Sequence, residues 1–215
     1  MSAAPIVLVH PMWNSGSFWS ESAEVLAEDA VVETPDMPGY GSTPGPFTAT
    51  SAIAAIIDAT QKHGHPVDLV GLSLGARVAL SAAAESPESV RSLTLMGIGD
   101  DVSGFAATIQ STMIRMFGGR IAEQFGSAES PSAAAESVKA QPKLPIAATA
   151  HRITAPTLVV AGGDDPDFTQ SCTRVATTIA GARLTTVPNA AHLWPRERPQ
   201  EFVSLLRDWR QEQSG

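Results

Sequence analysis

Six short apolar runs, separated by longer stretches of which several carry helical spacing, constrain the fold of this chain more than any other feature. The runs are Ile6–Val9, Ala30–Thr34, Val67–Val70, Leu93–Met96, Thr157–Ala161 and Leu184–Val187. They are near-continuously apolar rather than alternating, the pattern of parallel strands covered on both faces. Helical candidates lie between and after them at Ser51–His63, Leu74–Glu85 and Pro199–Gln213. The first carries Ile53, Ile56 and Ile57 at helical spacing. The last places Phe202, Leu205, Leu206 and Trp209 on one stripe. Alternation of this kind predicts an α/β fold built on a doubly wound, mainly parallel six-stranded sheet. At 215 residues, with 43% hydrophobic and 17% charged, the chain has the length and composition of one globular domain, expected to span 1–215.

The rhythm breaks once. No strand pattern appears between the run ending near Gly97 and the run starting near Thr157. Ile109, Met113, Phe117, Ile121 and Phe125 recur there every fourth residue, an apolar stripe along a helix. The Ser/Ala-rich stretch Ser127–Ser137 that follows reads as a loose connection. Such a stripe either packs on the sheet or roofs a pocket. Insertions at the carboxyl edge of a parallel sheet lie where ligands bind. Residues 102–150 are therefore expected to form a small helical cap within the domain.

Composition narrows the partners. Fourteen basic against 22 acidic residues give a net charge of −8, and without a basic cluster neither nucleic acid nor an anionic membrane is an expected partner. The single cysteine, Cys172, cannot form an internal disulfide, and no Cys/His pair has zinc-ligand spacing. No stretch approaches the roughly 20 apolar residues of a membrane span, and no basic leader precedes Ile6–Val9. A cytoplasmic address is expected. Neither a Walker sequence nor G-x-G-x-x-G occurs, so no nucleotide cofactor is implied.

The strongest local signal is Gly71-Leu72-Ser73-Leu74-Gly75, which follows a strand and opens a helix. A sharp strand-to-helix turn presses backbone against neighbouring chain, so glycine is needed beside the serine, and the serine itself is strained. Its hydroxyl then projects where free N–H groups favour negative charge. Serine is a weak nucleophile alone and needs a base, normally a histidine held by a carboxylate. Among His10, His63, His65, His151 and His192, only the last follows a strand end and lies in the chain after both Ser73 and an acid. Acid candidates crowd Gly162-Gly163-Asp164-Asp165-Pro166-Asp167, at the end of the fifth run. Asp167 suits a helix cap, a role open to Asp164 or Asp165 as well.

At this point the chain resembles the α/β-hydrolase superfamily, whose small serine hydrolases order their triad Ser…Asp…His. The resemblance spans nearly the whole chain. Val7-Leu-Val-His10 is similar to the family's strand into its oxyanion loop, and Asp36-Met-Pro-Gly-Tyr-Gly-Ser42 to its D-x-P-G-x-G-x-S turn. Arg196-Glu-Arg-Pro-Gln-Glu-Phe202 is similar to the stretch after its histidine. The resemblance implies Ser73 as nucleophile, His192 as base and, by matching Gly162 to the family's G-x-x-D loop, Asp165 as acid. Asp164 is second, and a minority pattern in the family points to Asp100 or Asp101. It also implies an oxyanion hole from the N–H groups of Leu74 and Met12. The family's His-Gly pair is here His10-Pro11, and proline fixes φ and donates no hydrogen bond. A loop that needs glycine at positive φ there, or a cis His10–Pro11 bond, would displace Met12.

The resemblance implies a serine hydrolase acting on a small carboxylic ester, thioester or lactone, with a small-molecule acyl substrate and no cofactor or metal. Trp13, Trp194 and Met113 are the expected pocket residues, and Arg77 is expected to pair with a nearby carboxylate. The same triad serves C–C bond hydrolysis, perhydrolysis and lyase or cyclase chemistry in the family. A non-catalytic ligand-binding protein on this fold is the remaining alternative.

Overall fold

Apolar side chains leave the central strands on both faces and build two separate cores. The computed structural model describes residues 3–124 and 130–213. The strands are β1 (Ile6–Val9), β2 (Val32–Glu33), β3 (Val67–Leu72), β4 (Val90–Met96), β5 (Thr157–Gly162) and β6 (Arg183–Val187). They form one sheet in the order β2-β1-β3-β4-β5-β6, every pairing parallel. Period-2 geometry sends Val7, Val9, Leu69, Leu95 and Val159 to one face. There α2 (Ala49–Gln61), α3 (Leu74–Glu85) and α7 (Pro166–Thr178) cover them. Ile6, Leu8, Val70 and Val160 point to the other face. They meet Leu26 of α1 (Ser20–Leu26), and Phe202, Leu206 and Trp209 of α9 (Pro199–Glu212). Burying a side chain of this size contributes about 1.5–3 kcal/mol, so the two layers fix α1 and α9 under the sheet. The short α8 (Trp194–Glu197) leads into α9.

Two expectations need correction. The two outer strands are not covered on both faces: β2, cut to Val32–Glu33, and β6 are the sheet edges, and Val31 and Leu184 are exposed. Nor is Ser127–Ser137 wholly a loose connection. Its described part enters α5 (Pro131–Ala140), started by Pro131 in the first turn and by the Ser130 hydroxyl, which accepts the Ser132 N–H at 3.2 Å. Between β4 and β5 the chain therefore forms α4 (Gly104–Gln124), α5 and α6 (Ile146–Ala150). At the amino end of the sheet, the buried Asp68 carboxylate accepts from Arg91 Nε at 2.9 Å, Ser92 Oγ at 2.6 Å and Arg210 Nε at 2.6 Å. This cluster joins α9 to β3 and β4. Among the described residues no helix is long and apolar enough to cross a membrane.

Candidate active site

Parallel pairing opens the carboxyl ends of β1, β3, β4, β5 and β6 on one edge, and Met12, Ser73, Asp165 and His192 lie on the loops that follow β1, β3, β5 and β6. Ser73, between β3 and α3, has φ 57° and ψ −114°, a conformation that costs on the order of 1–3 kcal/mol for an L-residue. The crossing of chain around it leaves no alternative. A Cβ added at Gly71 would stand 2.4 Å from the Gly75 carbonyl oxygen, and one at Gly75 2.4 Å from the Val9 oxygen and 2.6 Å from that of His10. These neighbours are backbone and cannot swing aside, so both positions require glycine. The Ser73 N–H donates to the Met96 carbonyl at 2.9 Å, carrying the β3–β4 ladder one residue past the strand.

Beyond β1 the loop is clamped by His10 and Asp36. The His10 ring is fully buried. Its Nε2 accepts the Met37 N–H at 3.1 Å, so Nδ1 holds the proton and donates to the Pro11 carbonyl at 2.9 Å. Burial pushes its pKa from 6.5 down to about 4, against the opposing effects of the Pro11 bond and the Asp36 charge. Asp36 accepts from the Gly16 N–H at 2.7 Å, the Ser42 N–H at 2.8 Å and the Ser42 hydroxyl at 2.9 Å. Burial alone would raise its pKa, but these donors outweigh burial and hold it below the ordinary value. The left-handed residue of the loop is Trp13, φ 64°, not Pro11, and the described residues contain no cis peptide bond. Proline is therefore compatible with the position where the family carries glycine.

The loops after β5 and β6 are stitched together by Gly163 N–H to Val187 O at 2.8 Å and Asp164 N–H to Ala190 O at 3.0 Å. Across this seam His192 Nδ1 meets Asp165 Oδ2 at 2.7 Å. Asp164 is exposed. Asp100 is engaged by Arg174 Nε at 2.9 Å and the Ser171 hydroxyl at 2.9 Å, and Asp101 accepts the Ile146 N–H at 2.6 Å. Neither of these reaches the histidine. Two residues that the motifs did not indicate position the imidazole. Phe168 packs over it with ring centroids 4.0 Å apart, and a Cβ at Gly97 would stand 2.9 Å from His192 Cε1. The only sequence trace of these was a glycine beside the β4 end and an apolar residue one turn into α7.

A cavity of about 450 Å³ opens beside Ser73, lined by Met12, Trp13, Leu74, Ile114 and Phe168 among others. Trp13 stands where expected. Trp194 does not: it is buried in the core below the sheet, 6.3 Å from the Phe202 ring, because α8 begins two residues after His192 and turns inward. Met113 also lies off the cavity, half exposed on the outer side of α4. The predicted stripe is turned outward as a whole over its described part, Ile109, Met113 and Phe117; Phe125 and the side chain of Ile121 lie outside the described residues. Small residues take the inner face instead, Ala107 and Ala122 with Ile114 packing on Trp13, Ala134, Ala135 and Val138. Arg77 lines the cavity; its hydrogen bonds go to the backbone carbonyls of Asp100 and Leu144, and the expected carboxylates, Asp101 and Asp100, act on it through their charges. Burial lowers its pKa, opposed by the charges of Asp101 and Asp100. The N-cap position of α7 is held by Asp165, without a side-chain capping bond, and Asp167 stands in the first turn and lines the cavity.

A sheet of this order with these loops defines a small α/β hydrolase. The chain belongs to the alpha/beta hydrolase family, whose model matches residues 6–205. Among curated proteins it is similar to a pimeloyl-[acyl-carrier protein] methyl ester esterase of Neisseria meningitidis serogroup C, 29% identical over 245 aligned positions that cover 95% of this chain and 92% of the relative. A pyrrolizixenacetamide deacetylase of Xenorhabdus hominickii is 28% identical, covering 95% and 90%. Among solved structures, a thermophilic esterase from Thermogutta terrifontis superposes with a TM-score of 0.86 at 22% identity, over 99% of this chain and 91% of that one.

Proposed function

We propose that the protein hydrolyses small carboxylic esters through an acyl-enzyme on Ser73, with His192 as base, Asp165 as its orienting acid and the Met12 and Leu74 N–H groups as oxyanion donors. The observation that carries this reading is the strained Ser73 elbow on the strand edge that also carries the 2.7 Å Asp165–His192 pair. His192 Nε2 takes the hydroxyl proton as Ser73 Oγ bonds the carbonyl carbon, and the former carbonyl oxygen becomes an oxyanion. Leu74 is the first residue of α3, where an N–H has no intrahelical partner. Each such donor lowers the barrier by roughly 3 kcal/mol. The C–O bond to the alcohol then breaks, and the alcohol leaves with the proton from His192. Water gives a proton to His192 as it attacks the acyl carbon; Ser73 recovers that proton and the acid departs. Asp165 accepts the Nδ1–H bond throughout, aiming Nε2 and balancing the imidazolium charge.

A cavity of about 450 Å³ with Trp13, Ile114 and Phe168 on its walls suits a small aliphatic or aryl acyl group. The relatives named as a methyl ester esterase and a deacetylase support attack at a carboxylic acyl carbon. The proposed reaction needs neither a cofactor nor a nucleic acid. Intact mass after incubation with a fluorophosphonate tests the proposal. One phosphonyl adduct is expected on the parent, none on Ser73→Ala, and strongly slowed labelling on His192→Ala. A folded parent that takes no adduct would refute it, and an ester panel yielding acid plus alcohol would separate it from carbon–carbon cleavage.

A further inference from the structure

Of seven large hydrophobic side chains exposed among the described residues, five stand on one helix: Phe105, Ile109, Met113, Met116 and Phe117 of α4. Their exposure runs from 46% at Phe117 to 78% at Phe105. At about 100° per residue they fall within one sector of roughly 120°, opposite the buried Ala107 and Ile114. α4 is thus apolar on two sides, and among the described residues only the inner one is packed against other parts of the chain. An exposed apolar face of this extent marks an interaction surface rather than chance composition.

We propose that a second copy of the chain docks on this face, the two α4 helices crossing antiparallel about a two-fold axis at the level of residue 111. The pattern is self-complementary about that level. Phe105 and Phe117 lie six residues to either side and Ile109 and Met113 two, so Phe105 meets the partner's Phe117 and Ile109 meets the partner's Met113, an isologous contact. Spacing by fours makes these side chains one ridge, the kind that interdigitates at a crossing near −50°. The helix dipoles select the direction: antiparallel docking opposes them, whereas parallel docking brings like ends together. At about 200 Å² per large side chain, the exposed fractions amount to roughly 550 Å². Exposed Ala106, Thr112, Gly119 and Arg120 on the same side and its flanks bring each face toward the ~800 Å² that stable interfaces bury per partner. A lipid surface fits less well: α4 carries only two basic residues, Arg115 and Arg120, and the chain carries −8 overall, whereas interfacial helices are rich in basic residues.

Sedimentation equilibrium of the full chain tests this, over concentrations up to about 100 µM and at low and high salt. Because the contact is apolar and the chains carry like net charge, salt should tighten it. The expected result is a species of twice the 22.4 kDa monomer mass, its dissociation constant raised at least about tenfold by Met113→Glu or Ile109→Glu. Val31→Glu, at an exposed apolar residue outside α4, should leave it unchanged. A monomer throughout overturns the proposal, as does a dimer indifferent to both α4 substitutions. Adsorption of a monomeric parent to phosphatidylcholine vesicles, lost in Met113→Glu, would assign the face to lipid and overturn it as well. The readout is mass, so it stands or falls separately from the esterase reading.

Discussion

Replacing Gly97 by alanine puts a methyl group where the His192 ring lies, the new Cβ standing 2.9 Å from Cε1 and 3.1 Å from Nδ1. Carbon atoms rest about 3.5–4.0 Å apart, so the ring must retreat by about half an ångström. It has little freedom to do so, being bonded to Asp165 at 2.7 Å and stacked under Phe168 at 4.0 Å. A misplacement of about 1 Å in an active site costs on the order of 10²-fold in rate, so half of that is worth about tenfold, or ~1.4 kcal/mol of activation free energy. The backbone adds a separate penalty. Gly97 has φ +52°, and alanine there costs about 1–2 kcal/mol, a fall in Tm of about 2–8 °C for a chain of this size. Gly181→Ala separates the two effects, because Gly181 has φ +72° with nothing within 4 Å of an added Cβ. Melting curves and single-turnover acylation by a chromogenic ester are the assays. Both variants should melt earlier, and only Gly97→Ala should acylate about tenfold more slowly. If Gly97→Ala acylates as fast as Gly181→Ala, Gly97 does not set the position of the imidazole and the reasoning fails.

Two further outcomes are expected away from the nucleophile. His10 is neutral in the fold with a pKa of about 4, against 6.5 when unfolded, so below pH 6.5 the unfolded chain binds the extra proton. Stability is full above that pH and declines toward pH 4 by about 3 kcal/mol. Asp36, depressed in the fold, adds loss of the same sign at still lower pH. Urea unfolding across this range should show the decline in the parent, and an unchanged midpoint from about pH 7 to about pH 4 would contradict it. Asp68→Ala strands the buried Arg210 guanidinium and the Ser92 hydroxyl without their carboxylate, a loss of about 3–5 kcal/mol. Because Asp68 sits at the amino end of β3, the folded fraction should still take the fluorophosphonate at the parental rate; slowed labelling at low temperature would show that the cluster acts on the site.

Where a residue's constraint comes from its chain neighbours, the sequence was enough. Ile6–Val9 and Leu74–Glu85 are bounded in the structure as the patterns predict, and Gly71 and Gly75 flank a turn whose close approaches explain them. Legibility fell where the neighbour is distant. An apolar run reads the same in a central strand and at an edge, so Leu184 gave no sign of its exposure. Nor did the Ser/Ala composition after residue 130 show a helix, because what holds α5 is Ala134 and Ala135 packing against α4.

The orientation of α4 shows why side-chain size misleads. Ranking residues by hydrophobicity picks the large side chains, Ile109, Met113 and Phe117, as the buried face. Burial instead follows the closeness with which two helices can approach. Alanines at 107 and 122 meet alanines at 134 and 135, and such small residues let α4 and α5 pack close together. Ile109, Met113 and Phe117 are then left on the exposed side among the described residues. The same physics separates Trp194 from Gly97 and Phe168. Trp194 is two residues from His192 and lies in another layer, whereas Gly97 is 95 positions away and touches the ring. Chain proximity to a motif therefore says little about membership of a site. What decides it is which strand ends the parallel order brings together, and that order follows from the packing of both faces of the sheet.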